Sequence, residues 1–348
     1  NSLFEPEQLF IAINSKLEKK DYMESLIYST KVDDNEWVFS NDKQDQIFSR
    51  LKAQKKVIGD VTRKIFVGLQ TSADNIFVLK VTEIRENSYI CYSKSLKKEV
   101  EIEKGLVKPF LMGKEVHRYD SLNPENIVIF PYFITKNIPE LMPQKFLKEH
   151  FPNGWEYILS NKQALSNREK GIYQGSSFYA FGRPQNLNEF ECSKIVTPDI
   201  AHGCQLTYDD KGVIYHTTTI YSFVFNDDIK EKDLYFLGIL NSKLFWFFLS
   251  TTGNVLRGGY FRFKTEYIKP FPIRLINFSD PADVARHDRM VALVESMLNL
   301  HKQSAAARLP DEKDRLARQI EQTDRQIDKL VYELYGLSEE EIKIVEGG

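Results

Sequence analysis

The chain has 348 residues, of which 42% are hydrophobic and 28% charged, a profile that excludes a disordered or membrane-embedded protein. Its formal net charge is −2, so bulk charge gives no reason to expect a polyanionic partner. The charge is uneven, however. Residues 311–348 hold eleven acids against six bases, which leaves +3 on the 310 residues before them; an acidic tail masks a mildly basic body. The three cysteines (Cys91, Cys192, Cys204) form no CxxC pair and leave one over, so reduced thiols in a cytoplasmic protein are expected rather than a disulfide framework. Neither a signal peptide nor a transmembrane span is recognisable. Because it starts at Asn1 rather than methionine, the chain reads as a fragment or a processed product.

Residues 1–57 read as a helical connecting segment, with Leu9, Ile13 and Leu17, then Ile47, Leu51 and Val57, marking two apolar faces. Short β-prone runs follow at 64–69, 76–84, 88–92 and 99–103, separated by polar turns. The turn GLQTSADN, Gly68 to Asn75, carries residues that hydrogen-bond locally and that suit phosphate contact equally well, among them Thr71, Ser72 and Asn75. The stretch from Asn126 to Phe133 reads as a buried strand interrupted by Pro131. Two helices are expected over 143–150 and 155–168, the second burying Trp155, Ile158, Leu159 and Leu165 and leaving Lys162 and Arg168 available. A loop from Lys170 to Asn186 interleaves Tyr173, Phe178, Tyr179 and Phe181 with Arg183, a composition that stacks on bases or simply covers a core. A strand is expected over 194–200, a hairpin over 205–216 with DDKG at its tip, and a further strand over 219–225.

From Leu234 to Leu249 the chain is almost wholly apolar, broken only by Asn241, Ser242 and Lys243. That is too short to cross a bilayer, which needs about 20 apolar residues, and predicts one helix covered on nearly every side. A glycine loop (Gly253, Gly258, Gly259) leads into a strand over 260–264, with Phe261 and Phe263 on one face and Tyr260, Arg262 and Lys264 on the other. Between Gly253 and Arg274 stand five bases (Arg257, Arg262, Lys264, Lys269, Arg274) and one acid, Glu266. This is either a polyanion grip or an ordinary solvated face. Beyond Pro272, three-four spacings at Met290 to Leu300 and Leu316 to Leu334, parted by Pro310, predict an antiparallel helical hairpin with Thr323 in its seam and His301 packed beside it. Such a hairpin is a spacer or a dimer contact.

Catalytic patterns fail one by one. No glycine-rich methyl-donor loop and no [NDS]PP[YF] tetrapeptide is present, and Gly113-Lys114 lacks the spacing of a Walker loop. Pro198-Asp199 with Asp209-Asp210-Lys211 matches a PD…DxK nuclease signature formally. A hairpin tip in solvent is nevertheless a poor place to fix Mg²⁺ ligands, so a Mg²⁺-dependent nuclease is the least favoured reading. A non-enzymatic interaction module assembling through the helical hairpin is the other alternative.

Seven segments in order, FVGLQTSADNIFVL (66–79), LVKPFLMGKEVHRY (106–119), WEYILSNKQALSNR (155–168), FYAFGRPQNL (178–187), KIVTPDI (194–200), GILNSKL (238–244) and GGYFRFKTEYIKPFPI (258–273), resemble the C-terminal target-recognition domain of TaqI-like adenine-N6 DNA methyltransferases and type IIG restriction–modification enzymes. The resemblance implies an α+β domain of short, mostly antiparallel strands with inserted helices over 58–276; the helical hairpin spacer and acidic tail over 277–348 resemble, more loosely, the spacer helices of type I specificity subunits. It implies duplex DNA as a partner, together with a methyltransferase domain of the same parent chain, whose S-adenosylmethionine and any Mg²⁺ bind outside these residues; this chain itself holds no cofactor and no catalytic residue. A homodimer through the helical hairpin is a further expectation. By the division of labour between phosphate and base contacts, Arg257, Tyr260, Arg262 and Lys264 are the expected DNA contacts, with Thr71, Asn75, Arg168 and Arg183 behind them.

Overall fold

A computed structural model describes residues 42–347, and most of the expected connecting segment 1–57 lies outside them. The described residues fall into two compact units, 54–335 in one and 42–53 with 336–347 in the other. In the smaller unit, helix α1 (Asp42–Lys52) buries Ile47 and Leu51. Helix α8 (Glu339–Val345) starts at a capping box in which Ser338 and Glu341 satisfy each other's backbone N–H. Arg50 Nε donates to Glu341 Oε1 at 2.7 Å.

The larger unit is mixed α+β, as the sequence predicts. Strands β12 (Thr207–Asp209), β10 (Lys194–Pro198), β14 (Ile220–Phe225) and β2 (Thr62–Val67) form an antiparallel sheet in that order. A six-stranded sheet runs β13 (Tyr215–His216), β6 (Val107–Leu111), β7 (Asn126–Ile129), β3 (Val78–Ile84), β4 (Ser88–Ser93), β5 (Lys98–Glu103), antiparallel except between β13 and β6. A small sheet joins β11 (Ile200–Ala201), β16 (Tyr260–Arg262) and β15 (Val255–Leu256). Strands β8 (Tyr132–Thr135) and β9 (Ile138–Leu141) pair only with each other, and β1 (Lys56–Val57) pairs with β17 (Pro272–Ile273).

Three expectations need correction. The run 126–133 is two strands, because Pro131 has no N–H for the ladder and the chain leaves the six-stranded sheet there. Residues 205–216 are not a hairpin: β12 pairs with β10, and β13 crosses to the other sheet. The cause is Asp209, which is buried rather than at a solvent tip; its Oδ2 accepts from Lys194 Nζ at 2.5 Å and from the Ile214 N–H at 2.9 Å. Finally, the apolar run 234–249 is two helices, α4 (Asp233–Leu240) and α5 (Lys243–Thr252), bent by 60°. Asn241 makes the break. Its amide bonds the Leu206 backbone twice, Oδ1 accepting at 3.0 Å and Nδ2 donating at 2.9 Å, while Ser242 caps α5 through the Phe245 N–H. No single helix among the described residues is long and apolar enough to cross a membrane.

The two larger sheets meet in an aromatic core where Phe190 stacks on Tyr215 at 4.5 Å and Phe66 packs edge-on to Phe190 at 5.1 Å. Inside it His216 is neutral. Its Nδ1 donates to the Thr217 carbonyl at 3.1 Å and its Nε2 accepts from Ser222 Oγ at 2.6 Å; burial pushes its pKa down to about 3. Helices α2 (Gln144–His150) and α3 (Pro152–Ser160) flank the six-stranded sheet, and Trp155 and Ile158 are buried as expected while Leu159 is exposed. At the C-terminal side, α6 (Pro281–Ala306) and α7 (Pro310–Tyr335) form the expected antiparallel pair. They are tied to the domain by Arg118, which grips Asp324 with both Nη atoms at 2.8 and 2.5 Å and the Asn241 carbonyl at 2.7 Å. Arg274, held bidentate by Asp283, adds a second tie.

Candidate nucleic-acid interface

Topology gathers the basic segments at one end of the four-stranded sheet. Strands β10 and β2 both run antiparallel to β14, so their C-terminal ends and the N-terminal end of β14 share an edge. Three segments emerge there: the turn 68–75 after β2, the 199–203 stretch after β10, and Thr217 to Thr219 before β14. They are stitched together by backbone bonds from the Leu69 N–H to the His216 carbonyl at 2.8 Å and from the Asp199 N–H to the Thr219 carbonyl at 2.8 Å. Gly68 is required at this crossing, since a Cβ there would lie 2.0 Å from the His216 oxygen. Strand β16 joins through β11, in register Ile200 with Arg262, and through the Phe263 N–H donating to the Asp199 carbonyl at 2.7 Å.

Strand β16 ends at Arg262, two residues short of the expected 260–264, but the predicted alternation continues through Lys264. Phe261 and Phe263 are buried against Trp246 and Phe245 respectively, Tyr260 is 46% exposed, and Arg262 and Lys264 are half-buried. Arg257 sits in the turn before it, where Gly258 and Gly259 take φ of +87° and +78°. His202 packs edge-on to Tyr260 at 5.9 Å and near Trp246 at 6.3 Å, so the patch is aromatic as well as basic. Arg262 Nη1 lies 3.8 Å from Asp199 Oδ2, and Lys264 Nζ lies 3.6 Å from Glu266. Both ion pairs are partly solvated and leave donors on each cation.

The second group divides. Arg183 is exposed and sits beside the 68–75 turn through an antiparallel bridge to Gln70, and Asn75 is likewise exposed, on the rim of a cavity of about 370 Å³ lined by residues 69–75 and Thr218. Thr71 is fully buried. Its hydroxyl donates to Asp74 Oδ1 at 2.5 Å and accepts from the Ala73 N–H at 3.0 Å. Arg168 is buried too, its guanidinium donating to the carbonyls of Leu165, Thr71, Phe178 and Ala180 at 2.7–2.9 Å. Its ring neighbour Tyr173 lies 4.4 Å away, and desolvation lowers its pKa. These two residues hold the 68–75 turn against the 178–183 loop and face away from solvent. Lys114, Thr218 and His202 belong to the same end of the sheet and were not among the expected contacts. Their distance in sequence hides this, since Lys114 arrives through the β6–β13 pairing and Thr218 through the crossing at Gly68.

The formal PD…DxK residues are not gathered at a solvent tip. Asp209 is locked to Lys194, and among the described residues no three His, Cys, Asp or Glu side chains converge as a metal requires.

Residues 108–273 match the family model of the TaqI-like C-terminal specificity domain. The chain is 24% identical over 337 residues to the type II restriction enzyme and methyltransferase RM.Eco57I of Escherichia coli, covering 92% of this chain and 33% of that protein. It is 22% identical to the type II methyltransferase M.BstVI of Geobacillus stearothermophilus, covering 90% and 46%, and 22% identical to M.BanIII of Aneurinibacillus aneurinilyticus, covering 56% and 37%. The chain therefore spans between a third and a half of the length of these relatives. The type IIG restriction endonuclease BpuSI aligns over 84% of this chain and 33% of its own with a TM-score of 0.44 and 11% identity. The stretch 108–273, which contains β16 and its basic residues, is a TaqI-like C-terminal specificity domain.

Proposed function

We propose that this chain is the DNA target-recognition part of a longer adenine-N6 methyltransferase or type IIG restriction–modification enzyme. One observation carries the reading: Asn75, Lys114 and Arg183, far in sequence from one another and from the basic segment Arg257 to Lys264, lie with that segment at one end of the four-stranded sheet. Cations along such an edge can meet phosphates, while Tyr260 and Asn75 supply groups able to reach base edges. The methyl-transfer chemistry, with its S-adenosylmethionine, and any Mg²⁺-dependent cleavage are assigned to the part of the relatives' length that this chain does not span. Dimerisation through α6 and α7 is a separate expectation, checked by light scattering.

The test is a salt titration of binding to mixed-sequence duplex DNA. Each neutralised phosphate adds about −0.9 to the slope of log K against log salt. Replacing Arg257 and Lys264 by Ala should therefore flatten the slope by about one per residue. A flat response for the wild-type chain, or an unchanged slope in the double variant, would place the DNA face elsewhere.

A further inference from the structure

Away from this edge, the β8–β9 ribbon has no role in the architecture described so far. It pairs with no other strand, and its four distal residues, Thr135, Lys136, Asn137 and Ile138, are all exposed. The turn is a two-residue connection with φ of +50° at Lys136 and +63° at Asn137. Positive φ at both central positions is the geometry that matches the twist of a hairpin, and Asn-Gly is the pair that adopts it most easily. Lysine does not; its Cβ makes the left-handed region unfavourable. The ribbon thus tolerates strain to carry a lysine at its outermost point, and such strain concentrates at functional positions. Ile138 follows at 59% exposure. Among the described residues neither Lys136 nor Asn137 has a side-chain partner.

The base of the ribbon is rigid. Phe133 packs edge-on to Phe146 of α2 at 4.9 Å, Tyr132 lies against Phe181 at 5.0 Å, and the Tyr132 hydroxyl accepts from the Phe181 N–H at 2.6 Å. Phe181 is two residues from Arg183, so the ribbon springs from the same aromatic cluster that seats the 68–75 turn. Helix α2 also carries Lys145, which stands 4.0 Å from Glu149, and Lys148, while β9 carries Glu140.

We propose that the β8–β9 ribbon enters the major groove of duplex DNA and reads base edges with Lys136 and Asn137, with Ile138 against a thymine methyl. This rests on the proposed function and assigns it a specificity element. A two-stranded ribbon fits a groove about 12 Å wide; lysine donates to guanine O6 and N7, asparagine pairs with adenine, and an apolar side chain senses the thymine methyl. The tip is charged and amphipathic at once, which suits a groove floor rather than a phosphate track.

The experiment is selection of a consensus from a randomised duplex library by the whole chain. It is repeated with the double variant Lys136→Asn, Asn137→Gly, which relieves the turn, and separately with Ile138→Thr. The melting temperature should hold or rise in the first variant, and the salt slope should change by no more than about one. The selected consensus should lose its preference at one to three neighbouring base pairs, with discrimination there reduced roughly tenfold or more. A consensus identical in wild type and both variants would overturn the ribbon assignment while leaving DNA recognition intact. A wild-type chain that enriches no sequence and binds no duplex would overturn both.

Discussion

Arg168 and Arg262 show how one residue type serves two ends according to its surroundings. Arg168 saturates four backbone carbonyls inside the domain. Its replacement by Ala should destabilise the fold by about 3–5 kcal/mol, since buried acceptors lose their partner. The measurement is a denaturant titration, and an unchanged midpoint would contradict it. Arg262, half-exposed beside Asp199, should leave stability within about 0.5 kcal/mol when replaced by Ala and weaken DNA binding instead. Asp209 is held like Arg168: removing it strands the Lys194 ammonium, so Asp209→Ala should unfold the domain by about 3–5 kcal/mol rather than abolish an activity. His216 brings a pH dependence. Its folded pKa of about 3 lies below the ordinary 6.5, so between those values the unfolded chain binds a proton that the folded chain refuses. The stabilisation is present above pH 6.5 and is lost as pH falls, by about 1.4 kcal/mol per pH unit. Buried Asp328, raised from 3.8 to about 6, acts in the opposite sense between those values. The difference between wild type and His216→Gln therefore isolates the histidine, and equal acid sensitivity in the two would refute its role.

Among the elements, β16 and the α4–α5 break carry the clearest consequences. Phe263 is fully buried beside Phe245, and Phe263→Ala should cost about 3–5 kcal/mol in a melt, in contrast to its neighbour Arg262. Melts that rank the two residues the other way would reverse the assignment of the strand's faces. Asn241 was legible only as a polar interruption of an apolar run. That it bends the helix pair by 60° and bonds Leu206 twice depends on a chain segment 35 residues away. Likewise, alternation predicted β16 and the helical periodicity predicted α6 and α7, because both patterns are local. The supposed hairpin 205–216 misled for the opposite reason. Its alternation was real, but the strands belong to different sheets, and the buried Lys194–Asp209 pair that decides this is not a pattern any window of sequence contains.

For the whole molecule, the expected outcome is steeply salt-dependent binding with a base-reading element at the ribbon and no catalysis by this chain. Incubation with Mg²⁺, S-adenosylmethionine and mixed-sequence DNA should yield neither cleavage nor N6-methyladenine; either product would refute the division of labour. By itself the sequence determined the mixed α+β class, the facing of the β16 phenylalanines, the terminal helix pair and, through seven ordered motifs, the TaqI-like specificity domain. These follow from local periodicity and short motifs, which survive without knowledge of distant contacts. Only the tertiary structure decided which candidate residues share a surface. Burial separates Arg168 and Thr71 from Arg183 and Asn75, although all four looked alike in sequence as polar residues available to solvent. Strand pairing brings Lys114, Arg183 and Arg262 to one sheet edge across 149 residues of chain. The physical reason is that a side chain's availability is set by what packs against it, and here that packing comes from strands paired across two sheets.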